Sequence, residues 1–321
     1  MSHQRYASHD PVKEPHSISL KVLRLSRPSL VTQHPIASPL SPSNSHEPPF
    51  PASLAYEPSA ADTNPSPFLL SPVLNFPVSF GSAYVGETFS CTLCANNDLP
   101  IQEPDATSAK KIRDVRIEAE MKTPGTGAVQ KLEMGGAGAT DGGQDLEPGQ
   151  TLQGVVKFDL KEEGNHVLAV TVSYYEATET SGRTRTFRKL YQFICKSSLI
   201  VRTKVSPLPR STTADASGPR SWVLEAQLEN CSEVAMQLEK VAMDVEDGLQ
   251  YRDCNWDGEK PVLHPGEVEQ VCFVVHEESE GSLKATADGK LVFGILGIGW
   301  RGEMGSRGYL STGKLGTRAA R

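Results

Sequence analysis

The fold is decided by the motif LEPG at residues 146–149 and by the stretch that follows it at 151–172, TLQGVVKFDLKEEGNHVLAVTV. Pro then Gly is typical of a tight turn, because Pro fixes φ at the first central position and Gly accepts a positive φ at the second. The runs 155–160 and 166–175 flank the short polar segment EEGN and show the period of two that is typical of strands. We therefore predict a β-hairpin, which must bury its apolar face against a second sheet.

The same pattern occurs a second time along the chain. LHPG at residues 263–266 precedes the strand-like run 269–275, and each Pro-Gly turn lies downstream of a run that ends in Asn, at 87–97 and at 222–230. A strand, a polar turn, a second strand, a Pro-Gly turn and a third strand are thus used twice. The sequence predicts two copies of one β module.

The composition indicates a loop-rich protein of about two domains. The chain has 321 residues, only 38% of which are hydrophobic, with 23 Pro and 27 Gly. A formal net charge of −7 argues against nonspecific binding of nucleic acid by the whole surface. The N-terminus lacks the apolar segment of a secretory signal, and the apolar run 291–300 is too short to span a bilayer. We expect a soluble protein of a reducing compartment.

Several stretches carry more specific expectations. Residues 17–25 alternate as a first strand, whereas the Pro/Ser-rich residues 26–67 bury too little apolar surface to order and predict a disordered insertion. A strand is favoured over a helix at 112–121, with a one-residue slip in its apolar face. Residues 123–150 predict a long surface loop. Residues 186–205 predict one bent strand, or one that crosses between sheets.

No motif for catalysis or for metal binding stands out. Cys91 and Cys94 form a CxxC, but residues three apart on a strand face opposite sides, and no second ligand pair follows. The eight His are scattered without a partner at metal spacing. Phosphate-loop and nucleophile-elbow motifs are absent. We therefore assign no catalytic, cofactor-binding or metal-binding residues and no cofactor, and we do not expect an enzyme.

Two kinds of charged cluster leave alternatives open. Arg183, Arg185, Arg188 and Lys189 form a basic cluster, which either steers an anionic partner or membrane surface or protects a solvated edge strand. Acidic doublets such as Glu277-Glu278 stand next to turns, where carboxylates are usually solvated.

Several blocks of sequence together resemble one family. They are SLKVLRLSRPSL, FPVSFGSAYVGETFSCTLCANND, LEPGQTLQGVVKFDLKEEGNHVLAVTVSYY, FRKLYQFICKSSLIVRTKV and GWRGEMGSRGYLSTGKL, and they cover most of residues 17–312. In this order they resemble the family of subunit 13 of TRAPP, the transport protein particle of ER–Golgi and Golgi traffic and of autophagy. In that family a further β domain follows the segment matched here by Gly308-Tyr309-Leu310.

The resemblance implies both a fold and a role. It implies immunoglobulin-like β-sandwich domains and a noncatalytic accessory subunit of a vesicle-tethering and Rab guanine-nucleotide-exchange complex. The implied partners are the large accessory and core TRAPP subunits, with Rab GTPases reached indirectly and with no nucleic acid. The implied location is cytoplasmic, peripheral at Golgi or ER–Golgi membranes through the complex.

The expected organisation is a disordered head at 1–16, a first sandwich at 17–205 with the insertion 26–67, a linker at 206–221, a second sandwich at 222–312 and a tail at 313–321. A second hypothesis is a free-standing β-sandwich adaptor for cargo or cytoskeletal partners. In that hypothesis the Pro/Ser-rich tract is a ligand for a domain that recognises polyproline II helices. An enzyme with a β-sandwich accessory domain ranks last.

Overall fold

The computed structural model confirms the expected all-β class. It describes residues 14–25, 29–30, 55–56, 68–69, 74–75, 83–101, 110–125, 127–136, 142–209, 218–255, 260–302 and 305–318. Strands supply the regular structure of these residues, and none of them lies in an α-helix.

The strands in chain order are β1 (Ile18–Arg24), β2 (Ser29–Leu30), β3 (Ala55–Tyr56), β4 (Phe68–Leu69), β5 (Leu74–Asn75), β6 (Ala83–Tyr84), β7 (Thr88–Asn97), β8 (Lys111–Lys122), β9 (Val129–Leu132), β10 (Met134–Gly135), β11 (Gln144–Leu146), β12 (Thr151–Asp159), β13 (Gly164–Ala177), β14 (Gly182–Lys196), β15 (Leu199–Pro207), β16 (Ser221–Asn230), β17 (Met236–Val245), β18 (Leu249–Asp253), β19 (Val262–Leu263), β20 (Val268–Glu277), β21 (Lys290–Gly302), β22 (Arg307–Ser311) and β23 (Leu315–Arg318).

The chain forms two compact units, and each contains two antiparallel sheets. The first unit comprises Met1–Leu25 and Thr88–Cys195. One of its sheets has the order β1-β7-β12-β10, and the other contains β11-β8-β13-β14 with β9 beside β8. The ring of Phe89 on β7 stacks on that of Phe193 on β14, with 4.6 Å between centroids. The two sheets therefore enclose one apolar core, whose buried members include Leu20, Leu93, Val156, Leu168 and Val172.

The predicted hairpin at residues 155–160 and 166–175 is wrong in its pairing, although both runs are strands. β12 pairs with β7, whereas β13 pairs with β8 and β14 in the opposite sheet. The chain crosses from one sheet to the other before β13, which begins at Gly164 with φ of 115°. The period of two identifies a strand but not its neighbour, and strand β13 is apolar on both faces. Its hairpin partner is β14, across a turn in which the Thr178 N–H donates to the Ser181 carbonyl at 2.7 Å.

β8 confirms the strand predicted at 112–121 and explains the slip in its apolar face. Asp114 adopts φ of 49°, in the left-handed region. The pairing with β13 shifts between Ser173 and Tyr175, so that Asp114 and Val115 together oppose one residue. This extra residue is a β-bulge, which returns Val115 to the core face.

The second unit comprises Ser26–Glu87 and Lys196–Arg321. One sheet has the order β15-β16-β20-β18, and the other has the order β19-β17-β21-β22 with β23 also on β21. Side chains from both sheets form one buried cluster, which includes Trp222, Leu224, Leu238, Phe273, Phe293 and Ile298. Period-two burial along β16 and β21 places these side chains on the facing sides of the two sheets.

The predicted repeat is confirmed in detail at the two Pro-Gly turns. Gly149 has φ of 81° and Gly266 has φ of 82°. The N–H of Gly149 donates to the Asn97 carbonyl at 2.9 Å, and that of Gly266 donates to the Asn230 carbonyl at 2.8 Å. The Asn97 side chain donates to the Leu146 carbonyl at 2.8 Å, as the Asn230 side chain does to Leu263 at 2.9 Å. A buried Asn at the end of one strand therefore holds the turn before the next strand in both units.

Three expected boundaries differ from the structure. Residues 186–205 contain two strands, because the polar pair Ser197-Ser198 ends the alternation and β15 then pairs with β16 in the second unit. The first unit thus ends at Cys195. The expected linker 206–221 includes the last two residues of β15, the β15–β16 connection and the first residue of β16, and its residues 210–217 are outside the described ones. The expected tail 313–321 contains β23, which pairs with β21.

The loop expected at 123–150 is also more ordered than its composition indicates. It contains β9, β10 and β11, and Leu132 and Leu146 are buried there. Of the insertion expected at 26–67, the structure describes only β2 and β3, which pair with β5 and β4. The rest of that expected insertion lies outside the described residues, as do residues 1–13 of the expected head.

Candidate interaction surfaces

The two Cys of the CxxC lie on opposite faces of β7. Cys91 is fully buried on the core face of β7, and Cys94 is only partly buried on its outer face. Burial raises the pKa of the Cys91 thiol to about 12, against the opposing charge of Arg24. A thiol that resists ionisation is a poor nucleophile and a poor metal ligand. These Cys side chains belong to the packing of the sheet.

His166 is a buried aromatic of the first unit. Its ring stacks on Phe193, with centroids 5.4 Å apart, and meets the edge of Phe158. Its Nδ1 lies 3.2 Å from the Gly164 carbonyl oxygen, and its Nε2 has no partner among the described residues. The ring forms part of the wall of an open cleft of about 860 Å³, together with Lys157 and Glu162. Among the described residues no carboxylate is hydrogen-bonded to this ring, so they do not supply the orienting group of an acid–base relay.

The predicted basic cluster is largely neutralised within its own unit. Arg183 and Arg185 lie 3.1 and 3.4 Å from the carboxylate of Glu176, which is 3% exposed. Glu14 reaches the same place and pairs with Lys110 at 2.8 Å and with Arg183. Hydrogen bonds from Lys110 and Arg183 lower the pKa of Glu14 to about 2. Glu14 was expected in a disordered head, but this network holds it on the first unit.

The other two cations of the cluster are also engaged. Arg188 pairs with Glu120 at 2.8 Å, and the Lys189 ammonium donates to the Leu20 carbonyl at 3.3 Å. The cluster therefore presents little unneutralised charge to an anionic partner. Its main structural effect is to tie β14 to its neighbours.

A buried ion pair in the second unit was not predicted from the sequence. Glu277 was expected in a solvated doublet, but it is 1% exposed. Arg220 donates to it from its backbone N–H at 2.8 Å, from Nε at 3.1 Å and from a terminal nitrogen at 2.7 Å, and the Leu283 N–H is a fourth donor. Burial opposes ionisation of this carboxyl, but the hydrogen bonds and charge of Arg220 lower its pKa to about 2. Arg220 also lies over the Trp222 ring, 5.3 Å from its centroid.

The first unit exposes an apolar patch on the outer face of β14. Leu190 and Ile194 are each 60% exposed, although they lie in the middle and last parts of a long paired strand. Residues four apart on a strand share a face, and their partners across β13 are Ala169 and Asn165. We call Leu190 and Ile194 the β14 patch. Exposed large apolar side chains on one sheet face are typical of a protein interface.

The described residues give no sign of a metal centre or of a membrane-crossing helix. No group of three or more His, Cys, Asp or Glu side chains among them is arranged to hold a metal ion. Within the same residues, no helix has the length and apolar character needed to cross a bilayer. The fold is that of an all-β protein with two antiparallel sheets in each of its two units.

The particular family follows from comparison with known sequences. The family described as "Trafficking protein particle complex subunit 13, N-terminal" matches residues 16–195, and the one described as "Trafficking protein particle complex subunit 13, middle domain" matches residues 199–320. The chain belongs to the trafficking protein particle complex subunit 13 family.

Named relatives agree with this membership. Trafficking protein particle complex subunit 13 of Bos taurus is 28% identical, over 95% of this chain and 70% of the relative. The Mus musculus protein of the same name gives the same identity and coverage. The probable homolog of Drosophila melanogaster is 27% identical, over 94% of this chain and 64% of the relative.

Proposed function

We propose that this chain is a noncatalytic accessory subunit of the TRAPP vesicle-tethering and Rab guanine-nucleotide-exchange complex, in ER–Golgi and Golgi transport and in autophagy. One observation carries the proposal: both family segments match this chain, and the boundary between them lies where the chain passes from the first compact unit to the second. The N-terminal match ends at residue 195, where the first unit ends, and the middle-domain match begins at 199 in the second.

Each unit is proposed to be an immunoglobulin-like β-sandwich. Two antiparallel sheets that enclose one apolar core in each unit support this assignment. The proposed domains follow the structural limits, with a first sandwich that ends at Cys195 and a second that starts at Leu199. The Pro/Ser-rich residues 26–67 are proposed to be an insertion between β1 and the remaining strands of the first sandwich.

A noncatalytic role agrees with the state of the ionisable groups described above. Glu176 and Glu277 are both held by Arg side chains, and His166 lacks a partner carboxylate. Carboxylates held in this way stabilise the fold, and they do not act as a general base next to a nucleophile. The nucleotide-exchange chemistry is assigned to other subunits, and contact with Rab GTPases is indirect.

The proposed partners are the other TRAPP subunits, and the β14 patch is the proposed docking surface. Leu190 and Ile194 offer apolar area at the centre, and the Arg188–Glu120 pair offers polar contacts at the rim. An apolar centre with a polar rim is the usual anatomy of a protein interface. Peripheral association with Golgi or ER–Golgi membranes follows from the complex and requires no membrane-inserting segment of this chain.

The free-standing adaptor is the weaker hypothesis. Family membership favours the TRAPP role. Deletion of residues 26–67 separates the two hypotheses, because the adaptor loses its partner and the TRAPP subunit keeps its complex.

The test is affinity capture of the tagged full chain from cells, followed by quantitative mass spectrometry. The wild-type chain is expected to recover TRAPP subunits, and the variant Leu190→Glu/Ile194→Glu is expected to recover them at least tenfold less, because a buried unpaired charge costs several kcal/mol. Thr186→Glu is the matched control, since Thr186 is exposed on the same face of the same strand.

Two results would contradict the proposal at different levels. Equal recovery by the patch variant and by the control excludes the β14 patch as the docking surface. Failure of the wild-type chain to recover any TRAPP subunit excludes the proposed function itself.

A further inference from the structure

Two thiols face each other where β18 and β20 stop pairing. The paired residues run from Leu249 and Glu277 to Asp253 and Phe273. One residue further, the Cys254 N–H donates to the Cys272 carbonyl at 2.9 Å. Directly opposite residues of an antiparallel pair share one face of the sheet, with Cα atoms about 4.5–5.5 Å apart. This separation lies within the range of about 4.4–6.8 Å that a disulfide spans.

Both thiols are free, and solvent reaches them unequally. Cys254 is exposed and Cys272 is partly buried on the outer face of β20, between the core residues Val271 and Phe273. Burial raises the pKa of Cys272, and the charge and hydrogen bond of Cys254 raise it further. The exposed Cys254 is therefore the thiol that an external reagent meets first.

Asn255 fixes this geometry in the reduced protein. Its Oδ1 accepts a hydrogen bond from the Cys272 N–H at 2.7 Å, and its Nδ2 donates to the Gln270 carbonyl at 2.6 Å. The residue that follows Cys254 is thus bound to β20 through its side chain. The two thiols are held together without a covalent bond.

We propose that Cys254 and Cys272 form a reversible disulfide when the protein meets a low-molecular-weight disulfide such as oxidised glutathione. The Cys254 thiolate attacks one sulfur of the reagent and expels one glutathione thiolate, which leaves a mixed disulfide on the protein. The Cys272 thiolate then attacks the Cys254 sulfur and expels the second glutathione. The protein loses two protons and two electrons, and the reagent is reduced to two thiols.

The expected consequence is local stiffening of a sheet edge. β18 is the edge strand of its sheet and has only five residues. A covalent bond to β20 prevents β18 from opening at this end. In the reduced protein only the hydrogen bonds of Cys254 and Asn255 hold this end, and hydrogen bonds at a strand end open locally. Since disulfides in a reducing compartment are transient, the bond acts as a redox-dependent clamp on this edge.

The test uses the purified full-length chain, equilibrated with a series of reduced and oxidised glutathione mixtures, acid-quenched and alkylated. Intact mass and peptide mapping are expected to show loss of two hydrogen atoms and a linked pair of peptides that contain Cys254 and Cys272. Dithiothreitol is expected to reverse the linkage. Hydrogen exchange of the amides of β18 is expected to slow in the oxidised protein.

Single substitutions make the result specific. Cys254→Ser and Cys272→Ser are each expected to abolish the linkage, whereas the control Cys94→Ser retains it, because Cys94 lies in the first unit. A stable glutathione adduct on Cys254 with Cys272 alkylated overturns the proposal, and so does a linkage that joins other cysteines.

Discussion

Replacement of Asn230 by Ala is expected to destabilise the second unit strongly. Asn230 is fully buried. Its Nδ2 donates to the carbonyls of Leu263 and Val234 at 2.9 and 3.0 Å, and its Oδ1 accepts from the N–H and hydroxyl of Ser232 at 2.9 and 2.8 Å. The side chain thus joins the end of β16 to the turn before β20, and none of its polar atoms is idle.

The expected loss in the free energy of unfolding follows from the polar groups that lose a hydrogen-bond partner in Asn230→Ala. The Val234 carbonyl keeps a hydrogen bond from the Ser232 hydroxyl at 2.9 Å. The Leu263 carbonyl and the Ser232 N–H lose the Asn230 side chain, and each buried unsatisfied group costs about 1–3 kcal/mol. We expect the free energy of unfolding to fall by about 4 kcal/mol, and Asn230→Asp, which keeps only the acceptor, to be destabilised as well.

The assay is urea unfolding followed by tryptophan fluorescence. Trp222 and Trp300 are buried in the core of the second unit, and the third Trp, at residue 256, lies between them in the sequence, so the signal reports the unit that is altered. Linear extrapolation gives the free energy of unfolding. Gln227→Ala is the matched control, an exposed amide on the same strand for which we expect a change of about 0.5 kcal/mol or less. If Asn230→Ala costs no more than this control, the side-chain support of the turn is refuted.

The remaining predictions concern the buried ion pair, a close approach and the interaction surface. Because the pKa of Glu277 falls from 4.5 to about 2 on folding, its stabilisation is present above about pH 4.5 and is lost as the pH falls towards 2, at most about 3 kcal/mol. Between pH 4.5 and 2, the urea midpoint of Glu277→Gln is expected to change less with pH than that of the wild type. An equal pH dependence in the two proteins contradicts this prediction. Gly86→Ala is expected to cost roughly 2 kcal/mol or more in thermal unfolding, because a Cβ there lies 2.5 Å from the Trp300 ring at φ of +90°. Gly266→Ala is the control, because Gly266 has a similar φ of +82° but open space around it. If both substitutions lower the thermal stability equally, the clash with Trp300 is not the cause. Leu190→Glu alone is expected to weaken partner capture without a change in thermal unfolding, since the side chain is mostly exposed.

The strands and turns were predictable from the sequence because their causes are local. Alternation defined the strands around residues 17–25, 87–97 and 222–230, and the two Pro-Gly pairs identified the turns. The Asn at the end of β7 and of β16 was visible as part of the repeat. Its role was not visible, because the carbonyl that it binds lies 49 residues away in one unit and 33 in the other.

Strand pairing and boundaries were less predictable because their causes are distant in sequence. β12 and β13 are adjacent in the chain, but they do not pair with each other. β12 pairs with β7 and β13 pairs with β8, and both partners lie earlier in the sequence. β14 and β15 are separated by only two residues, and the sequence does not show that β15 pairs with β16 in the second unit.

Some ionic and surface features were likewise predictable from the sequence, and others were not. Charge clusters were visible as residue types, but burial of Glu277 depends on Arg220, which lies 57 residues earlier. The pairing of the basic cluster on β14 with Glu14 was not predictable, because Glu14 lies 169 residues before Arg183. Exposure of Leu190 and Ile194 needed the sheet to be assembled, since alternation alone assigns apolar residues to a core.

The most direct test of the central claim is reciprocal capture. A core TRAPP subunit is tagged in cells that express this chain untagged, the intact complex is isolated under mild conditions, and this chain is quantified against the core subunits. We expect this chain to be recovered at close to one copy per complex and to co-migrate with the complex on size exclusion. Recovery of the intact core without this chain, while the chain migrates as a free protein, would contradict it.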